Sequence, residues 1–200
     1  MLRRESARRG GRTLALLLAL AVTAGAGACS RDEPPAKQAN AEVQKGLAAH
    51  VAGDVDGALK HYQDAHEADP TNTYAIYNIG LIAQNRGDAA EAERRYRAVL
   101  AIDPNFTAAL FNLGVLRYAA GAVQESIDLY RRVVAITPND ANAHLNLGFS
   151  LKKLGKNREG EAELKRAVTL NPELSSRIPK ASPSPKAATG PSSTPSATPR

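Results

Sequence analysis

From residue 39 to residue 172 the apolar positions of the chain recur at helical steps, in paired stripes that repeat without insertion or deletion. Ile76, Ile79 and Ala83 follow one another at three- and four-residue intervals, which places them on one face of a helix together with Gly80. Gly87-Asp88 interrupts the pattern, and a second stripe, Ala92, Tyr96, Val99 and Leu100, runs up to Pro104. Proline has no amide hydrogen to donate and disfavours helix at the residue before it, so the second helix ends there. Pro70, Pro104, Pro138 and Pro172 are each 34 residues apart, and the same period holds for Gly46, Gly80, Gly114 and Gly148 and for Gly53, Gly87, Gly121 and Gly155. The repeats are therefore 39–72, 73–106, 107–140 and 141–174, each predicting two antiparallel helices. Glycine at the eighth position lets the two helices approach, with Tyr62, Tyr96 and Tyr130 filling the gap above it. One hairpin cannot bury its apolar faces alone, so neighbours must stack into a continuous core.

This spacing resembles the tetratricopeptide repeat, in which a large residue, Leu-Gly, Tyr, then Ala, an aromatic residue and Pro stand at fixed intervals. Leu113-Gly114, Leu147-Gly148, Ala58 with Tyr62, Ala92 with Tyr96, Tyr130 and the four prolines carry the resemblance. It implies an all-α fold, a right-handed α-solenoid of four helix hairpins. The leading large position holds Glu42, Ile76, Leu110 and His144, and Lys45 stands at the usual Leu. Glu42 and Lys45 are expected to form a solvated N-terminal cap, which solenoids need for solubility. The fourth repeat has Gly160 at the usual Ala and Leu164 at the usual aromatic, and is expected to pack more loosely. No helical pattern follows it, so Leu147, Leu151, Leu164 and Val168 are expected to lack a covering helix.

The charge of +6 is uneven: +4 in residues 1–28, −2 in 29–174 and +4 in 175–200. The folded part is thus mildly acidic, and its charge gives no footprint for nucleic acid. The five arginines up to Arg12, the apolar run Leu14 to Ala24 and the small residues to Ala28 form the three parts of a signal peptide over 1–28. The apolar run is far shorter than the roughly twenty residues a spanning helix needs. Arginine pairs at 3/4 and 8/9 raise a twin-arginine route, but Gly10-Gly11 follow where that signal favours an apolar residue, and general secretion is the expectation. Two processing readings remain. Ala26-Gly27-Ala28 fits an A-x-A box, whereas Ala26 to Cys29 resembles the lipobox of bacterial lipoproteins, which prefers Leu where Ala26 stands. Cys29 is the single cysteine and would be the first mature residue. The leading expectation is lipidation at Cys29, holding the protein on a membrane outside the cytoplasm; the alternative is a soluble secreted or periplasmic protein. Residues 29–38 then read as a tether. Residues 175–200, with six prolines, seven serines and no acid, read as a disordered basic tail.

No acid, base and nucleophile fall together, so the chain is not expected to be an enzyme, and neither cofactor nor metal is expected. His61 and His66 lie about 140° apart around a helix, which is not the i, i+4 pairing of metal ligands. Resemblance to the repeat family implies that six positions of each repeat line a concave groove. None of the residues there is acidic. They include Tyr77, Asn78, Leu81, Phe111, Asn112, Val115 and Tyr118, then Asn146, Phe149, Lys152 and Lys153. Asn78, Asn112 and Asn146 stand 34 apart with two donors and an acceptor each, which suits the amides of an extended peptide. Asn is also common there in the family for its own sake. The carboxylate clamp of chaperone-binding members is not reproduced, since Val43, Leu47 and Ala108 occupy its places. The expected function is a protein–protein interaction scaffold that takes a protein or extended peptide in this groove, as an envelope assembly or recruitment factor. The alternative is a self-associating structural lipoprotein, a weak homo-oligomer joined through the uncapped fourth repeat.

Overall fold

The computed structural model describes residues 34–179; the signal segment, Cys29 and residues 180–200 lie outside the described residues. Eight helices, α1 (Pro35–Val51), α2 (Val55–Ala68), α3 (Thr73–Asn85), α4 (Ala89–Ile102), α5 (Thr107–Ala119), α6 (Val123–Ile136), α7 (Ala141–Lys153) and α8 (Asn157–Leu170), form four stacked hairpins. A 3₁₀ turn, Pro172–Arg177, follows. The fold is the all-α stack of helix hairpins that the 34-residue period predicts and the resemblance to the tetratricopeptide repeat implies. Helix α1 begins four residues before the first repeat boundary, because Pro35 and Ala36 open it. Proline at a first helical position loses no bond there, so residues 35–38 are helix, where a tether was expected.

The punctuation works as its chemistry requires. Asp69, Asp103, Thr137 and Asn171 end the second helix of each pair with φ of −138, −123, −125 and −140°, the departure from helix imposed on the residue before a proline. Within each hairpin the chain turns at Gly53, Gly87, Gly121 or Gly155, all with φ between 81 and 83°, where a Cβ would be strained. Asp54 and Asp88 cap α2 and α4 by accepting the amides of Gly57 and Glu91. Ala122 and Lys156 offer α6 and α8 no side-chain cap.

Tyr62, Tyr96 and Tyr130 are fully buried over their glycines. A Cβ on Gly46 would lie 2.6 Å from the Tyr62 ring, and one on Gly114 2.9 Å from that of Tyr130. The fourth hairpin departs from the expected loose packing. Gly148 and Gly160 face each other so closely that a Cβ on either would fall within 3 Å of the other's carbonyl oxygen, and Leu164 is buried beside them. Two glycines in register let the backbones themselves meet. The expected open end is also largely closed: Leu147 and Leu151 pack against Val123, Ile127 and Tyr130 of the preceding repeat, and Leu174 and Ile178 cover Leu164.

Two polar bridges recur in a form that the linear sequence hides. In the first hairpin Glu42 of α1 meets His61 of α2 at 2.8 Å. At the same two positions of the fourth, His144 meets Glu163 at 2.6 Å, so the partners are exchanged. Glu42 also accepts from Lys45 at 2.7 Å; instead of a solvated cap it ties the hairpin together, and these hydrogen bonds hold its carboxyl below the ordinary carboxylate value. Between the second and third repeats, Arg97, Glu93, Arg117 and Glu125 close a ring of ion pairs at 2.7 to 3.0 Å across α4, α5 and α6.

Candidate peptide-binding groove

The first helices, α1, α3, α5 and α7, carry the expected groove residues. Their fifth and sixth positions decide what the groove offers. Tyr77 packs against Tyr96 and Phe106, ring centroids 5.8 and 5.3 Å away, and its hydroxyl accepts a hydrogen bond from Asn112 Nδ2 at 3.0 Å. Partial burial pushes the Tyr77 phenol up, and the Asn112 bond offsets that only in part, so it remains a hydroxyl with a proton to donate. Phe111 stacks edge-on against Tyr130 at 5.5 Å. Tyr74, 61% exposed, stands edge-on to Phe106 at 5.5 Å.

The asparagine ladder is uniform in sequence and diverse in structure. Asn78 is buried, and its amide donates back to the Tyr74 carbonyl of its own helix at 2.8 Å. Asn112 is half-buried and bonded to Tyr77, while Asn146 is half-buried one repeat further on. The fifth residue of the preceding repeat explains the differences. Only Tyr77 carries a hydroxyl to Asn112; Val43 offers nothing to Asn78, nor Phe111 to Asn146. Asn78 therefore serves its own helix, and Asn112 bonds across to the neighbouring repeat.

A depression of about 350 Å³ opens here, lined by Tyr77, Thr107, Ala108, Phe111, Asn112, Asp140 and Asn142. Asp140 corrects the expectation of an acid-free groove. It caps α7 by accepting the amides of Asn142 and Ala143, and it lies in the loop ahead of the helix, outside the six positions considered. Thr107, the first residue of α5, also falls outside those six positions. Leu81 and Val115 are half-buried along the wall. Further along, Tyr118, Phe149, Lys152 and Lys153 line a second depression of about 320 Å³, with Lys153 Nζ 4.2 Å above the Tyr118 ring.

Three groups of metal-ligand type meet between α1 and α2. Glu42, His61 and Asp64 bring ligand atoms within 4.8 Å of one another. Histidine spacing carries no sign of this cluster, because Glu42 is brought in by α1 from 19 residues before His61. Both carboxylates are already engaged, Glu42 by Lys45 and His61, and Asp64 by Lys60 at 2.9 Å. The exchanged His144–Glu163 pair marks this contact as a hairpin bridge.

Residues 77–141 and 141–174 match tetratricopeptide repeat models. The first repeat, with its Glu42 and Lys45 departures, lies outside those matches yet folds as the same hairpin. No curated protein sequence matches the chain. Among solved structures, MamA from Desulfovibrio magneticus RS-1 superposes with a TM-score of 0.62 at 23% identity, covering 68% of this chain and 77% of its own. Another MamA crystal structure gives 0.61 at 17% identity over 69% of this chain and 81% of its own. The first repeat domain of Spaghetti (RPAP3), solved with the HSP90 peptide SRMEEVD bound, gives 0.56 at 25% identity, covering 60% of this chain and 95% of its own. With the 34-residue period, the hairpins and the family matches in agreement, the chain is a tetratricopeptide-repeat protein, a scaffold built for protein–protein interaction.

Proposed function

We propose that this protein is a lipid-anchored scaffold outside the cytoplasm that docks a protein through an extended segment laid in the groove of α3, α5 and α7, and so recruits it to an envelope surface. The observation that carries the groove reading is the depression around Asn112. Apolar walls, Phe111 and the Tyr77 ring, flank polar groups that can match a peptide's amides: the Tyr77 hydroxyl, Asn112, Asn142 and Thr107. A domain of the same architecture holds a heptapeptide in RPAP3, which supports peptide docking as a use of such hairpins. The anchoring part rests on Cys29 and the signal-like segment before it.

Two experiments test the two parts. Crosslinking in whole envelopes, followed by quantitative mass spectrometry, compares the wild type with an Asn112→Ala/Asn142→Ala variant. A partner enriched by the first and lost by the second is expected; equal enrichment by both would remove the groove. Fractionation of Cys29→Ala is expected to move the protein from membrane to soluble fractions, and retention in the membrane would refute lipidation at this residue.

A further inference from the structure

Past Leu170 the chain does not leave the solenoid at once. Leu174 is buried against Leu145, Leu164 and Ala167, and Ile178 and Phe149 pack on the same cluster. The Arg177 guanidinium reaches Asn142 Oδ1 at 3.4 Å. Pro179 and Ile178 form one side of the depression whose other walls are Tyr118, Phe149, Lys152 and Lys153. Asn142 and Phe149 belong to the candidate groove of the fourth repeat, so the chain's own residues cover the end of the surface that would receive a partner.

Ile178 lies there with φ −92° and ψ 117°, the extended backbone that Pro179 imposes on its predecessor and that a docked peptide would adopt. The segment is lightly held. Its support is a six-residue 3₁₀ turn, a geometry with poor hydrogen bonds, and the Arg177 contact is long and exposed. A depression of about 640 Å³ also opens between Ile178, Pro179 and the Leu164, Lys165 and Val168 side of α8.

We propose that Arg177-Ile178-Pro179 is a built-in occupant of the fourth-repeat end of the groove, a competitor that a partner segment must displace. The favoured partner segment carries, like this one, an aliphatic residue followed by proline. The inference rests on the groove reading given above.

The test uses the full chain and a fluorescent peptide reproducing residues 174–183, followed by anisotropy. Ile178→Asp unseats the segment, and Arg177→Glu loosens it while leaving the apolar contacts and the fold in place. If the segment is seated about nine-tenths of the time, both variants bind the peptide up to about tenfold more tightly than the wild type, and adding Phe149→Ala cancels the gain. Equal affinity for the wild type and both variants, or no binding to any of them, overturns the proposal. A lowered melting temperature without gained peptide binding would make the segment an end cap and also overturn it. The envelope crosslinking separates the two failures. A partner held equally by the wild type and Ile178→Asp but lost in Asn112→Ala/Asn142→Ala refutes the competitor and keeps the groove, whereas a partner indifferent to Asn112 and Asn142 removes the groove first.

Discussion

Gly160→Ala separates what the repeat pattern says from what the packing says. The equivalent residues of the first two repeats are Ala58 and Ala92, both fully buried. Restoring alanine at the fourth would be read from the pattern alone as stabilising by about 1 kcal/mol, the helix-propensity gain over glycine. In the structure the new Cβ meets the Gly148 carbonyl oxygen at 2.8 Å and the Lys152 amide nitrogen at 3.1 Å. Both are backbone atoms of α7, which cannot swing aside as a side-chain end can. Overpacking of this kind costs about 1–3 kcal/mol, so the net change is a loss of about 1 kcal/mol. For a folded region of this size that lowers the melting temperature by about 3–4 °C, measured by far-ultraviolet circular dichroism. The reverse exchange, Ala92→Gly, also destabilises, by about 1 kcal/mol, because it opens a packed site in a helix without a close backbone to relieve. A raised or unchanged melting temperature for Gly160→Ala would refute the argument, since it would mean that α7 and α8 separate at no cost.

Two other perturbations follow from polar contacts between helices. The Tyr96 hydroxyl donates to Gln84 at 2.8 Å, whereas the buried Tyr62 hydroxyl has no hydrogen-bond partner among the described residues. Tyr96→Phe should cost about 1 kcal/mol in chemical denaturation while Tyr62→Phe is neutral or stabilising; equal losses would contradict the assignment. Arg117→Ala opens the ion-pair ring and should cost about 1–2 kcal/mol in low salt and less in high salt. Partial burial raises the Glu125 carboxyl, but the hydrogen bonds from Arg97 and Arg117 outweigh it and hold the group below its ordinary value. Its contribution is therefore present above the ordinary carboxylate range and is lost as pH falls through the lowered value. The gap between the wild type and Arg117→Ala should narrow below about pH 4, and a gap that widens with acid would overturn this sign.

The repeat frame was legible because it is local and tandem. Each glycine turn and each proline stop acts within a few residues, and four copies display the same rule. What escaped reading depends on pairs that no single helix contains. Glu42 and His61 are 19 residues apart, as are His144 and Glu163, and they meet only once a hairpin has closed. The asparagines looked equivalent because their spacing is equal, yet the residue 35 positions before Asn112 is what sets its bonding. Asp140 entered the groove from a loop, and loops carry no helical periodicity from which to assign a face. The turn after Pro172 was invisible for a related reason: six residues rich in serine show no stripe, although Leu174 and Ile178 find apolar neighbours.

The ring of Arg97, Glu93, Arg117 and Glu125 has a bearing on how the molecule comes apart. Neighbouring junctions carry single exposed pairs, Arg86 with Asp56 and Arg131 with Glu159. In a stack whose stability is a sum of units and nearest-neighbour couplings, the strongest coupling defines the block that opens last. The second and third repeats should therefore exchange their amide hydrogens as one cooperative block, while the outer hairpins open earlier and independently. Raising the ionic strength weakens the ionic part of that coupling and leaves the apolar contact of the two repeats, so it should narrow the differences in protection along the chain. Salt would thus tune how far the centre of the solenoid outlasts its ends.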